Sequence, residues 1–142
     1  MKFLFFYTKY PKMHNGEYRR FHSNGKLAEL SYFINAKYDG EYKEWSDNGN
    51  LRSLGFFKKD KLEGTYKIWH PTGKIFMEMP YINNKLNGVF KTWYGNGQLY
   101  TEEHYKDDMK EGDYREWNLN GKLIRHYIYK NDTKIKTIMG LN

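Results

Sequence analysis

The stretch Gly40-Glu41-Tyr42-Lys43-Glu44-Trp45-Ser46-Asp47-Asn48-Gly49-Asn50-Leu51 spells out most of one unit of this chain, and the unit occurs five times at a spacing of 24 residues. Counting its first glycine as position 0, that glycine recurs at Gly16, Gly40, Gly64, Gly88 and Gly112. A second glycine follows at position 9: Gly25, Gly49, Gly73, Gly97 and Gly121. Position 2 is aromatic (Tyr18, Tyr42, Tyr66, Phe90, Tyr114), and position 5 is aromatic again (Phe21, Trp45, Trp69, Trp93, Trp117). Position 11 is Leu or Ile (Leu27, Leu51, Ile75, Leu99, Leu123), and position 17 closes with Phe33, Phe57, Tyr81, Tyr105 and Tyr129. A fixed period of this length denotes a stack of like supersecondary units and not a globule around one core.

Each unit reads as a β-hairpin. Glu41 to Trp45 is a short strand rich in aromatics, and Asp47-Asn48-Gly49 is a turn. Asn-Gly is a strong two-residue hairpin signal because both residues tolerate positive φ. Leu51 to Phe57 is the returning strand, and Lys58 to Glu63 loops to the next glycine. No segment sustains a 3.6-residue apolar period, and glycines come too often for helices. The expected fold is all-β: five hairpins in one elongated antiparallel meander. The expected divisions are an N-terminal capping strand over 1–15, repeats at 16–39, 40–63, 64–87, 88–111 and 112–135, and a tail over 136–142. Positions 2 and 5 differ by an odd number, so both sheet faces should carry an aromatic ladder unless a bulge at the strand end shifts one of them. Pro80 cannot donate to a ladder and predicts a bulge or kink near the sheet centre.

Composition fits a thin sheet. Mean hydropathy is −0.98, yet 19% of residues are aromatic, which suits large flat side chains stacked on their neighbours' copies. Disordered chains are poor in aromatics. Cysteine is absent, which excludes disulfides and thiolate chemistry and accords with a cytoplasmic setting. The apolar run Phe3-Leu4-Phe5-Phe6-Tyr7 is too short for a signal-peptide core or a membrane span.

The motif Gly-x-(Tyr/Phe)-x-x-(Trp/Phe)-x-x-x-Gly-(Lys/Gln/Asn)-(Leu/Ile) resembles the variant form of the MORN repeat over residues 16 to about 135. The resemblance implies a hairpin-repeat fold and no catalytic residues. It also implies the setting in which bacterial members are placed, as antitoxins or as immunity partners of polymorphic toxins. The classical MORN motif has a tighter glycine spacing than this one, so membrane association transfers poorly.

Reactive chemistry is missing. His22 and His70 share a position but lie two repeats apart, roughly 19 Å by strand spacing, too far to share an ion. His104 and His126 fall elsewhere in the unit, His14 precedes the first repeat, and no cofactor or metal is expected. Acidic residues cluster between hairpins (Asp60 and Glu63; Asp107, Asp108 and Glu111), where they read as a solvated edge that discourages sheet-to-sheet pairing. Neither a phosphate-binding loop nor a nucleophile elbow is present.

Net charge is +7, which raises nucleic acid as a partner. The charge is spread, with +3 in residues 1–15, +2 in the third and fifth repeats and −2 in the fourth. Lys58, Lys59, Lys61 and Arg52 are the candidate local basic patch, and aromatics interleaved with bases resemble a stacking platform.

Repeats keep their stacking positions and vary their surface. Position 4 runs Arg20, Glu44, Ile68, Thr92, Glu116, and position 6 runs His22, Ser46, His70, Tyr94, Asn118. The third copy departs most, because Ile75-Phe76-Met77-Glu78-Met79-Pro80-Tyr81 is nearly all apolar. Exposed apolar and Met-rich clusters mark interfaces. Ile68, Phe76, Met77, Met79 and Tyr94 are therefore the candidate partner-binding residues, with the basic patch beside them. The expected function is non-catalytic binding of a protein that the chain inhibits. That protein would be a toxin, or an effector nuclease such as a CRISPR enzyme blocked by an anti-defence inhibitor. The alternative is direct binding of nucleic acid or an anionic membrane surface through a basic, aromatic sheet face.

Overall fold

In a computed structural model, which describes residues 15–140, the chain forms one open antiparallel sheet with no helix among those residues. The first hairpin pairs β1 (Gly16–Phe21) with β2 (Leu27–Ile34), and the two-residue β3 (Lys37–Tyr38) folds back on β2. The pattern repeats in β4 (Gly40–Trp45), β5 (Leu51–Lys58) and β6 (Lys61–Leu62), then in β7 (Gly64–Trp69), β8 (Ile75–Ile82) and β9 (Lys85–Leu86). The fourth copy is β10 (Gly88–Trp93) and β11 (Leu99–Lys106); β12 (Met109–Trp117) and β13 (Leu123–Lys130) follow, and β14 (Thr133–Met139) ends the sheet. The main path β1-β2-β4-β5-β7-β8-β10-β11-β12-β13-β14 is a meander. At ~4.8 Å per strand it extends roughly 48 Å. The expected N-terminal capping strand lies outside the described residues. The expected tail is a correction: β14 runs through its boundary at 135 and adds the last strand.

Both turns of the unit differ from their sequence reading. At Asn48-Gly49 only the glycine has positive φ, at 95°. Gly49 N donates to Ser46 O at 2.8 Å, and Ser46 N donates to Asn50 O at 2.9 Å. This is a type I turn closed by a left-handed glycine, the longer of the common hairpin connections. The stretch Lys58 to Glu63 is not a loose loop. Lys59 and Asp60 have φ of 51° and 66°, and the pairs Asn35-Ala36, Asn83-Asn84, Asp107-Asp108 and Asn131-Asp132 match them. Two consecutive positive φ values make the tight type I′ hairpin, which Asn and Asp tolerate at modest strain.

The acidic residues between hairpins are clasps. Asp60 Oδ1 accepts the Tyr38 N–H at 2.8 Å, Asp108 Oδ1 accepts Leu86 N–H at 2.7 Å, and Asp132 Oδ1 accepts Lys110 N–H at 2.8 Å. Asn84 does the same for Leu62 at 3.4 Å. The same residues donate their own N–H to the carbonyls of Tyr38, Leu62, Leu86 and Lys110. Asp39, Glu63 and Glu111 then accept the N–H of Lys59, Asn83 and Asn131 in the next copy. The solvated-edge reading is thus corrected: these carboxylates satisfy backbone donors where successive type I′ turns meet.

Every hairpin carries a register shift at its second aromatic, between Arg20/Phe21, Glu44/Trp45, Ile68/Trp69, Thr92/Trp93 and Glu116/Trp117. Trp45 opposes Leu51 while Glu44 opposes Ser53, leaving Arg52 as the extra residue of the bulge. Ala28, Phe76, Tyr100 and Ile124 occupy the same place. Pro80 stands in register opposite Thr65, so the bulge belongs to the repeat and not to the proline.

The core sits on the face carrying positions 2 and 17. Tyr42, Phe57, Leu62, Tyr66 and Met79 form one buried cluster, with Tyr38, Ile68, Met77, Tyr81, Leu86 and Phe90 packed on it. Tyr42 meets Phe57 edge-on at 5.6 Å between centroids, and Tyr38 lies 5.3 Å from Phe57. Gly55 is needed for this packing: a Cβ there would come within 2.4 Å of the Tyr66 ring. The four tryptophans are only half-buried, and among the described residues none belongs to a close ring pair. The tyrosine and phenylalanine columns therefore form the ladder, on one face.

Two outcomes are expected. Asp108→Ala removes the acceptor for Leu86 N–H and places alanine at φ 71°, so it should cost about 1–3 kcal/mol in urea unfolding. Asp108→Asn should be nearly neutral, since Asn84 makes the equivalent bond. Secondly, burial pushes the Tyr66 hydroxyl up to about 12. The unfolded chain releases that proton near pH 10 and the fold holds it. The Tyr66 contribution should therefore be constant below pH ~9 and fall by roughly 2–3 kcal/mol between pH ~10 and ~12. Tyr66→Phe should remove that part of the alkaline loss, read from denaturant midpoints across this range.

Candidate partner-binding surface

Strand register lines up one residue per strand into a row that crosses the sheet. Successive cross-strand partners are Arg20, Glu29, Glu44, Ser53, Ile68, Met77, Thr92, Thr101, Glu116 and Arg125. Within each hairpin the two members make a rung. Arg20 Nε donates to Glu29 at 3.2 Å, Ser53 Oγ to Glu44 at 3.0 Å, Thr92 and Thr101 share a bond of 2.6 Å, and Arg125 Nη1 donates to Glu116 at 2.5 Å. The central rung, Ile68 with Met77, is the apolar member of the set.

Of the acids in this row Glu29 and Glu116 are buried and Glu44 is half-buried, and all three are partnered. Glu29 also accepts from Ser31 at 3.1 Å, and Glu116 from the Tyr114 hydroxyl at 2.8 Å. Beside them Glu103 accepts from Tyr105 at 3.0 Å and from Lys110 at 2.7 Å. Such fully bonded pairs avoid the large penalty of an unpaired buried charge. Burial is the leading cause that raises the hydroxyls of Tyr42, Tyr105 and Tyr114, and the carboxylates beside them add to it. The neutral phenols of Tyr105 and Tyr114 act as donors to Glu103 and Glu116.

The candidate residues separate on this frame. Ile68 and Met77 stand directly opposite each other and are half-buried. Met79 is corrected: it is 4% exposed, lies opposite Tyr66 and accepts the Tyr81 hydroxyl at 3.8 Å on its sulfur, so it belongs to the core. Phe76 is the bulge residue of the third hairpin, and its ring lies 4.6 Å from His70. Tyr94 repeats that arrangement in the fourth, 4.6 Å from the Tyr100 ring, and donates to Trp117 O at 3.0 Å. His70 and Tyr100 were missed in the sequence, although positions 6 and 12 read together would have paired them. His22 Nε2 bonds Trp45 O at 2.8 Å, whereas the buried His70 Nε2 has no partner. Two adjacent copies thus carry paired rings at the glycine-turn edge, beside the apolar rung.

The basic patch is corrected as well. Lys58 and Lys61 are cross-strand partners with Lys59 in the turn between them, so these three lysines share one hairpin tip. Arg52 lies six residues back along β5, roughly 20 Å away at the other edge.

The opposite face carries a pattern absent from the sequence reading. Position 3 is basic in every copy: Arg19, Lys43, Lys67, Lys91 and Arg115. Each is neutralised, Arg19 by Glu17 at 2.5 Å, Lys43 by Glu41 at 2.8 Å, Lys67 by Glu78 at 2.9 Å, Lys91 by Glu102 at 3.5 Å, and Arg115 by Glu102 and Asp113 at 3.0 and 3.1 Å. Asp113 also bonds His126 at 2.5 Å, which with Arg115 holds its carboxyl below the usual range. This column is a zipper and not a free phosphate track. Among the described residues no group of three or more His, Asp or Glu could hold a metal ion, and no helix is long and apolar enough to cross a membrane.

A family profile described as MORN repeat variant matches the chain five times, over residues 15–35, 38–59, 62–83, 86–107 and 110–131. Each match ends on the first residue of a type I′ turn, so the matched unit is the hairpin with its bulge. No curated protein matches the chain. Repeats of this kind commonly serve as protein- or membrane-binding modules and not as enzymes. Five matches across most of its length establish that the chain belongs to the MORN repeat variant family.

Proposed function

We propose that this chain is a cytoplasmic protein-binding module that inhibits its partner, as an antitoxin or immunity protein does, or as an anti-defence inhibitor does to a nuclease effector. The observation that carries the reading is the central rung. Four hairpins satisfy this place with polar pairs, and the third leaves Ile68 and Met77 half-buried beside the Phe76–His70 and Tyr94–Tyr100 ring pairs. An apolar centre rimmed by aromatics and hydrogen-bonding groups is how specific protein interfaces are composed. Neutralisation of the position 3 column weighs against nucleic acid, because affinity for phosphate needs free cations.

The test uses the chain's own alternative. Ile68→Thr with Met77→Thr rebuilds the central rung as the Thr92–Thr101 pair, which already fits this backbone. The purified variant should unfold within about 2 kcal/mol of the parent, since two half-buried side chains lose only part of their burial. A captured partner should lose its activity on titration with the parent chain and keep it with the variant. Equal retention of both chains, or a bound partner that stays fully active, would refute the proposal.

A further inference from the structure

We infer that the outer edge of β14 is a docking site for an extended acidic segment of a partner protein, which would add as a further strand. Along the main path every internal strand has neighbours on both sides, whereas among the described residues β14 pairs with β13 alone. All seven of its residues are exposed, including Ile135 at 58%, Ile138 at 49% and Met139 at 46%. Two register shifts, at Ile135 and Ile138, interrupt the strand, and the residues between and before them turn backbone N–H and C=O groups outward, where a strand can be added.

Charge selects the occupant. The five bases of the position 3 column each have a carboxylate within 4 Å, but Lys130, Lys134 and Lys136 have no such ion pair among the described residues. Lys134 Nζ instead stands 4.6 Å over the Tyr127 ring. Across residues 122–139 there are five bases (Lys122, Arg125, Lys130, Lys134, Lys136) and one acid, Asp132, whose Oδ1 already accepts Lys110 N–H. Register with Ile128 and Tyr129 puts Lys136 and Lys134 on opposite faces of the sheet, so cations flank the edge above and below. A second copy of β14, pairing antiparallel about Lys136, would set cation against cation, which is destabilising across a ladder. A strand with carboxylates on both faces and apolar residues for Ile135 and Ile138 satisfies the backbone and the charge together. This surface is distinct from the central rung, so the two readings fail independently.

The full chain is tested with a synthetic peptide of glutamate and valine, followed by amide hydrogen exchange. The expected result is slowed exchange confined to Thr133–Met139, with affinity that falls in salt. Lys134→Glu with Lys136→Glu should weaken the peptide by about tenfold or more and favour a lysine–valine peptide instead. Two peptide controls keep the test on the parent chain: lysine in place of glutamate, and proline at alternate positions with charge unchanged. Both should fail to protect β14. Protection of β14 that rises with protein concentration without peptide would assign the edge to a second copy and overturn the inference. So would equal binding of the proline peptide, or full displacement by an oligonucleotide, since either would reduce the effect to charge alone.

Discussion

A single-layer sheet has no second layer to bury against, so each repeat must be held by the one before it. The clasp between successive type I′ turns does this. A side-chain oxygen from Asp60, Asn84, Asp108 or Asp132 takes a backbone N–H of the preceding copy, and the same residue returns its own N–H to that copy's carbonyl. The contact is double and repeats every 24 residues. It fixes the lateral register of one hairpin on the next, and everything on the two faces inherits that register. The opposite edge is tied more loosely, by side chains such as Asn24 and Lys74 reaching the next copy's turn carbonyls.

On this frame the two faces divide the chemistry. One carries the tyrosine and phenylalanine ladder, where burial keeps the phenols neutral and aims them at buried glutamates. The other carries the basic column closed by acids on the same or the neighbouring strand. Net charge is thus a poor guide to free charge. Cations without an ion pair among the described residues include those of the hairpin tip around Lys59 and of β14, and others stand singly at the remaining turns, such as Lys37, Lys85 and Lys106. Constant backbone with variable rungs is an economical arrangement for recognition: a rung changes from Arg–Glu to Thr–Thr to Ile–Met without disturbing the copies on either side.

The number of hairpins, the aromatic columns and the all-β character were legible in the sequence, because each follows from local chemistry at a fixed spacing. Glycine at position 9 must close a turn wherever it falls, and alternating aromatics must stand on a strand. Even there, the turn type was misread. Asn48-Gly49 looks like a two-residue turn, but the true two-residue turns are Asn35-Ala36, Lys59-Asp60 and their equivalents, whose mixed composition hides them. Their function as clasps was invisible because it depends on a partner one repeat away.

The candidate surface was legible only in part. Singling out the third copy picked out Ile68 and Met77, which the register sets opposite each other. It could not separate Met77 from Met79, since both point to one face by alternation. Tyr66 lies across Gly55 and opposite Met79, and that packing buries one methionine and leaves the other half-open. Likewise the bulge at each second aromatic removes the tryptophans from the ring ladder and brings Phe76 beside His70. Spacing along the chain is set by turns and determines which residues recur. Contact across the sheet is set by register and bulge, which are settled only when the copies pack together.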